Sequence, residues 1–304
     1  MTISLNSNPS ASEARLHLSR NNMNLRHSIT RLSSGKRVEK PSDDAGGMAV
    51  AMKLESQVMR SGASMQNILN AVSLLEVQDG VLSNAGQIVD RMSELKSLYH
   101  DVMKNESDKE SYNKEFRDLQ VQLFDMSKIK FNGVSLFAQY TTPRGGVEAL
   151  FEGTTSEDHT MSVYMSPDGD GGAVASVHKA LLLSALTINA TTLDASAYGS
   201  GDQATVYRLA NETIDGTGAG SVISLGAISV GVYSQALQNI ATLRAQNGAS
   251  MSMLEYGYDN LSEQKNNLNA GRGRIMDVDR AAETTRLSKY NIVVQASTPT
   301  HSQA

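Results

Sequence analysis

The side chains that could carry chemistry are few and scattered. Six His stand at 17, 27, 100, 159, 178 and 301. None falls in an H-E-x-x-H run, and no pair has the spacing that would put two imidazoles on one helical face for zinc. Cys is absent, which removes disulfides, thiolate metal ligands and cysteine nucleophiles together. Asp168 and Asp170 precede Gly171-Gly172, as in part of an acidic calcium loop. The flanking ligand places hold Ser166 and Val177 instead of a carboxylate and a closing Glu, so the segment reads as a turn. Asp43 and Asp44 are adjacent, and on a helix start they point to different faces. They read as charge at a helix N-terminus, not as an acid–base pair. No phosphate loop, dinucleotide fingerprint or G-x-S-x-G elbow occurs. The sequons at Asn105, Asn189, Asn211 and Asn260 match a pattern too common to weigh. The expectation is a chain with no catalytic, cofactor or metal residues, and no enzyme.

Composition points the same way. Of 304 residues 40% are hydrophobic and 19% charged, the balance of a soluble protein. Residues 1–40 carry seven Lys/Arg against two Asp/Glu, while the whole chain has net charge −5. These basic residues interleave with Leu18, Leu25, Ile29 and Leu32 on one face, and the remainder is acidic, so nucleic acid is not the expected partner. No run reaches the roughly 18 apolar residues of a membrane span. The first 20 residues contain Arg15, His17 and Arg20 and no apolar core. A cleaved secretory signal is not expected, so the protein stays in the cytoplasm or leaves by a route that needs none.

Proline and glycine divide the chain. Pro9, Pro41, Pro143, Pro167 and Pro299 leave 42–142 and 168–298 uninterrupted. Residues 143–226 hold 12 of the 24 Gly, with ten acidic and three basic residues. An acidic, turn-rich middle is therefore expected between two helical arms. In the first arm Leu18, Leu25, Ile29 and Leu32 follow a three/four spacing, with Asn22 at the remaining place. Leu54, Val58, Met65, Ile68, Val72, Leu75, Leu82 and Val89 form a longer stripe, continuing through Met92, Leu95, Tyr99 and Val102. Tyr112, Phe116, Leu119, Leu123 and Met126 form a short one, with Ser107 and Glu110 spaced as a capping box. The second arm gives Leu237, Ile240, Met251, Leu254, Tyr258, Leu261, Leu268, Ile275 and Ala282. Stripes this long predict coiled coils. The fold class is mainly α: an elongated rod of long antiparallel coiled-coil helices from both termini, with a small variable α/β region at the outer end. In the middle, Thr160–Met165 and Val222–Leu225 read as strands, and Ala180–Leu183 as a short buried element.

Specific runs then become recognisable. Arg31-Leu32-Ser33-Ser34-Gly35-Lys36-Arg37, with Pro41-Ser42-Asp43-Asp44-Ala45-Gly46-Gly47-Met48-Ala49, resembles the N-terminal signature of bacterial flagellin. Phe131-Asn132-Gly133-Val134 matches that family's FNG turn. Leu261, Asn267-Leu268 and Gly271-Arg272-Gly273-Arg274-Ile275-Met276-Asp277-Val278-Asp279 resemble its C-terminal stretch, continued by Ala281-Ala282-Glu283 and Gln295-Ala296. The resemblance covers about 1–140 and 228–297.

The resemblance implies a structural subunit that polymerises into the flagellar filament and gives motility. It implies an inner core from 1–42 paired with 270–304, and an outer shell from 43–142 paired with 228–269. Residues 143–227 form a variable surface-exposed region. Leu18, Leu25, Ile29 and Leu32 would then meet Ile275, Val278, Ala282 and Leu287 in the core. Leu54, Val58, Ile68, Leu75, Leu82, Tyr112, Phe116, Leu119, Leu123, Leu254 and Leu261 would pack the shell. The core helices are expected to be disordered in the free subunit and to fold on assembly. Implied partners are copies of itself, an export chaperone on the C-terminal segment, the type III export apparatus, hook-associated and cap proteins, and other flagellins. The location is extracellular. Arg91, Glu94 and Leu95 match a segment read by a vertebrate innate receptor, with Ser93 in place of an Arg. After Gln295-Ala296 the run Ser297-Thr298-Pro299 departs from the family's apolar tail, and the last helix is expected to stop near Ser297. A hook–filament junction protein and a minor flagellin of a mixed filament are the alternatives.

Overall fold

The computed structural model describes residues 9–138, 160–189, 206–212, 224–226 and 228–303. His159 and the first half of the expected strand at 222–225 lie outside them. The elements are α1 (Pro9–Ser34), α2 (Ala45–Tyr99), α3 (Glu106–Ser127), β1 (Lys130–Phe131), β2 (Val134–Ser135), β3 (Thr160–Tyr164), β4 (Val174–His178), α4 (Leu182–Ala185), β5 (Thr187–Asn189), β6 (Val206–Arg208), α5 (Val230–Met276) and α6 (Arg280–Gln303). The protein is mostly helical, with long helices toward both ends and short strands in the middle. Its contacts form two compact units, residues 1–62 with 262–304, and residues 63–261.

The 63–261 unit is built on an antiparallel pair of helices. In α2, Ile68, Leu75, Leu82 and Val89 recur every seventh residue and are fully buried. They face Tyr233, Ala236, Ile240, Leu243, Leu254 and Leu261 of α5 in one core. The pairing has a fixed register. Asn247 donates to the Leu75 carbonyl at 2.8 Å, and Arg244 grips Asp79 with two bonds of 2.9 and 3.0 Å. Leu237, Met251 and Tyr258 are only partly buried. Ile240, Leu254 and Leu261 are buried on the expected lattice, while its other half is displaced by one residue to Ala236, Leu243 and Ser250, with polar Asn239 and Asn247 also buried. Asn239, like Asn247, is buried with its amide donating to a carbonyl, that of Ala185 at 3.1 Å. Each bond offsets the desolvation of the amide nitrogen that makes it.

Helix α3 packs third. Phe116 and Leu123 are fully buried, and Tyr112 and Leu119 lie partly buried against the same core. Buried Asn113 and Gln120 complete its inner face. Asn113 accepts from the Leu225 N–H at 2.9 Å, and Gln120 donates to the Arg208 carbonyl at 3.3 Å. The capping box stands two residues before the expected one. Asn105 accepts from Asp108 N–H at 2.8 Å, and Asp108 accepts from Asn105 N–H at 3.2 Å. Asn and Asp fill these roles as well as Ser and Glu do. The α2 stripe stops at Tyr99, and Val102 sits in the following turn, 96% exposed.

The FNG run is a tight hairpin. Asn132 and Gly133 both have positive φ, 48° and 82°, as a two-residue type I′ turn requires. Leu136 and Phe137 follow it into the core, and Gln78 donates to the Leu136 carbonyl at 2.6 Å. The described middle residues do not stand apart from the helices, as an entirely surface-exposed region would. Ala175, Val177, Ala180, Leu182, Leu186, Ile188 and Leu209 belong to the same core as α2, α3 and α5. The cause is visible in the chain. Strand β4 alternates buried and exposed residues, and Leu182–Ile188 is a continuous buried run. At the end of β3, Met165 lies where a side chain on Gly257 would stand, and Ser64 donates to the Ser166 carbonyl at 3.0 Å.

The large side chains of this core carry the stability of the 63–261 unit. Leu82→Ala is expected to cost about 2–5 kcal/mol. Urea unfolding of the free subunit should show the midpoint fall with an unchanged m-value.

Candidate assembly interface

The other unit, 1–62 with 262–304, is made differently. Helix α1 ends at Gly35, which takes φ +72°, a conformation that L side chains rarely adopt. The chain then ties to the end of α5 through its backbone. Arg37 N–H donates to the Met276 carbonyl at 2.6 Å, and Val278 N–H to the Gly35 carbonyl at 3.0 Å. The Arg37 guanidinium adds a bond to the Ile275 carbonyl at 2.7 Å. Lys36 and Asp277 face each other antiparallel. The two signature runs, one from each end of the sequence, thus bind each other.

Their acidic residues hold the turns. Asp43 accepts from the N–H groups of Glu39 and Lys40 at 3.1 and 3.2 Å, and these bonds keep its carboxylate below the usual range. Asp44 accepts from Gly47 N–H at 2.8 Å, capping α2. A Cβ on Gly47 would collide with that carboxylate. Asp279 accepts from Ala281 and Ala282 N–H at 3.0 and 3.1 Å and caps α6. The capping role expected of the Asp43-Asp44 pair falls to Asp44 alone.

Above this tie α1 and α6 run side by side. Leu18, Leu25 and Leu32 are half-buried against them, as is Leu287. Ile275 and Val278 are also half-buried, at the tie. Two residues expected at the seam are elsewhere: Ile29 is 51% exposed and Ala282 is exposed. The break at Asp277–Asp279 explains Ala282. It resets the helical phase, so a lattice carried through from α5 lands on the wrong side. The buried place is Glu283, which accepts from the Ser28 hydroxyl and pairs with Arg286 at 3.1 Å. Ser28 and Glu283 were not singled out as packing residues because both are polar. Their spacing, 25–28–32 and 283–287–290, could have found them. Beside this contact lies a polar cavity of about 230 Å³, lined by residues including His27, Arg31, Asp43, Arg286 and Tyr290.

Helix α6 does not stop near Ser297. It continues to Gln303 with Pro299 inside. The Ser297 and Thr298 hydroxyls both donate to the Val294 carbonyl, at 3.2 and 2.8 Å, and hold the turn that enters the proline.

The remaining expected sites separate. Leu54 and Val58 are half-buried in the 1–62 unit, where Leu54 lies against Gly271. Arg91 bridges Glu115 of α3 and Glu94 at 2.8 and 2.7 Å, which raises its pKa. Leu95 is fully buried, so of those three residues Arg91 and Glu94 remain at the surface. Among the described residues no three His, Asp or Glu side chains gather to hold a metal ion. No described helix is long and apolar enough to cross a membrane.

Long paired helices near both ends, tied backbone to backbone and carrying exposed apolar residues, define a structural assembly protein. Residues 5–142 match the bacterial flagellin N-terminal helical region, and residues 230–304 match the bacterial flagellin C-terminal helical region. The flagellin of Bacillus subtilis (strain 168) is 27% identical over 308 residues, covering 99% of this chain and 95% of that one. The flagellin of Listeria innocua is 27% identical over 300 residues, with the same coverage. Flagellin A of Vibrio cholerae is 25% identical over 367 residues, covering 100% of this chain and 97% of that one. The chain belongs to the bacterial flagellin family. It is a structural subunit that polymerises with itself into the helical filament of the flagellum, and it is not an enzyme.

The Asp279 cap is expected to matter to assembly. Asp279→Ala should remove about 1 kcal/mol of α6 stability, whereas Asp279→Asn keeps the acceptor. Sedimentation of polymer should show the critical concentration rise about fivefold for Ala, since 1.4 kcal/mol is tenfold, and change little for Asn.

Proposed function

We propose that the unit of 1–62 and 262–304 is the part of this flagellin that folds fully only between subunits. Residues 1–42 and 270–304 line the inner core of the filament, and 43–142 and 228–269 form the shell around it. The observation that carries this reading is a shortage of core. Within that unit the buried apolar side chains, among the described residues, are Val38 and Ala51. Ordering a residue costs about 1–2 kcal/mol of backbone entropy, and two such side chains return only a few kcal/mol. Meanwhile Leu16, Met23, Ile29, Val50, Met52, Met59 and Ile292 stand between 48% and 68% exposed. Copies of the chain covering these residues would supply what the free unit lacks.

In the same reading the subunit leaves the cell through the type III export apparatus, escorted by a chaperone on its C-terminal segment. It joins a filament bounded by hook-associated and cap proteins, with other flagellins able to share it. Arg91, Glu94 and Leu95 fall where an innate receptor would read the family, but buried Leu95 and Ser93 weaken that contact. Family membership supports these roles.

Two measurements test the core reading. Electron microscopy of the purified chain in ammonium sulfate, which strengthens apolar burial, should show long filaments. Limited proteolysis should trim the termini of the free subunit back toward the 63–261 unit and spare them in the filament. A free subunit whose termini resist protease as well as its centre would overturn the proposal.

A further inference from the structure

We infer that Glu283 is a positioning residue for assembly: it sets which face of α6 meets α1, and so which apolar side chains the terminal pair offers to the next subunit. The inference rests on the reading that this pair is the assembling element.

The pair holds one buried contact. Among the described side chains of α1 and α6, only Ser28 and Glu283 are buried, at 2% and 3% exposure, and they are bonded to each other across 255 residues of chain. The other half-buried side chains of the two helices include Leu18, Asn21, Asn22, Leu25 and Leu32 of α1 and Leu287, Tyr290, Val293 and Val294 of α6. The apolar contacts alone discriminate weakly between registers. On α1, Leu18, Leu25 and Leu32 recur at seven-residue steps, so a slide by a heptad offers α6 much the same side chains. The backbone tie at Gly35–Arg37 and Ile275–Val278 holds only the base of the pair. Beyond it, the Ser28–Glu283 hydrogen bond joins the two helices at a buried point.

A buried carboxylate breaks the degeneracy. In the observed arrangement Glu283 has the Ser28 hydroxyl on one oxygen and the Arg286 guanidinium on the other. Turned by one residue, about 100°, the carboxylate would lose the Ser28 hydroxyl, its buried partner on α1. An unpaired buried charge is strongly disfavoured. A single buried polar residue that fixes register at some cost in stability is known from coiled coils. The consequence lies on the outside. With Glu283 locked inward, Ile292 is held outward at 66% exposure, as Ser28 inward leaves Ile29 outward at 51%.

The test separates positioning from mere stability. Glu283→Gln keeps an acceptor for Ser28 and loses the charge. Glu283→Met keeps length and helix propensity and offers only apolar contact. Each purified full-length variant is polymerised beside the unsubstituted chain and imaged for helical order. The thermal transition of the free subunit, carried by the 63–261 core, checks that each variant folds. Expected are ordered filaments from Glu283→Gln. From Glu283→Met, disordered or mixed aggregates, or none, are expected although its terminal pair is no less apolar. Because the chain has no Cys, the pair Asn21→Cys with Tyr290→Cys, one heptad along each helix from the Ser28–Glu283 contact, is chosen to report the seam. Under polymerising conditions and mild oxidation, its disulfide should form several-fold more slowly in the Glu283→Met background than in the parent. Filaments of unaltered symmetry from Glu283→Met, or an unchanged cross-linking rate, would overturn the inference. So would equal failure of Gln and Met. If the unsubstituted chain forms no filament, it is the assembly reading that fails.

Discussion

The fold depends on joining two stretches of chain that lie more than a hundred residues apart. The buried column of α2 is covered only when α5 joins α3 against it. The pairing is antiparallel and its register is carried by polar side chains: Asn247 on the Leu75 carbonyl and Arg244 on Asp79. Between 63 and 261 the helices then collect everything the intervening chain can offer. The FNG hairpin, the β3–β4 hairpin and the Leu182–Ile188 run all insert apolar side chains into one core. The middle of the sequence therefore helps to stabilise the helices that flank it.

The two units differ in what holds them. The 63–261 unit buries large side chains, among them Phe116, Tyr233, Leu75 and Leu82. The unit of the two ends is held by backbone bonds and caps: Gly35 with Val278, Arg37 with Met276, Asp44 under α2, Asp279 under α6. Bonds of this kind give direction and little net stability, about 1 kcal/mol each. That division suits a subunit that must remain a monomer before it is placed. A terminal unit with a complete apolar core would be stable alone and would have nothing left to offer a neighbour.

Much of this was legible in the sequence, and the failures share one cause. The seven-residue column Ile68, Leu75, Leu82, Val89 announced itself, as did Phe116 and Leu123. The signature runs announced the family. Periodicity of apolar residues cannot see a buried polar side chain, so Asn113, Gln120, Asn239, Asn247 and Glu283 were missed as packing residues. Each is inside because it answers a backbone or hydroxyl group brought there by tertiary structure. Periodicity also cannot see a break of three residues. A lattice carried through Asp277–Asp279 put Ala282 on the seam, whereas the real helix restarts at the Asp279 cap with Glu283 inward. Pro299 shows the converse. Propensity stops a helix there, yet α6 runs on to Gln303, with the Ser297 and Thr298 hydroxyls bonded back to the Val294 carbonyl in the turn before the proline.

The polar residues that interrupt the stripes are therefore part of the specification. An all-apolar stripe says that two helices will associate, and leaves their register open. For a monomeric protein the cost of a slip is a poorly packed core. For a subunit repeated along a filament, each slip is copied into the contacts above and below it, so register must be held more tightly than stability alone requires. Asn247 against Leu75 in one unit and Glu283 against Ser28 in the other are placed where that tightness comes from. Each gives up apolar burial for a bond that only one arrangement can form.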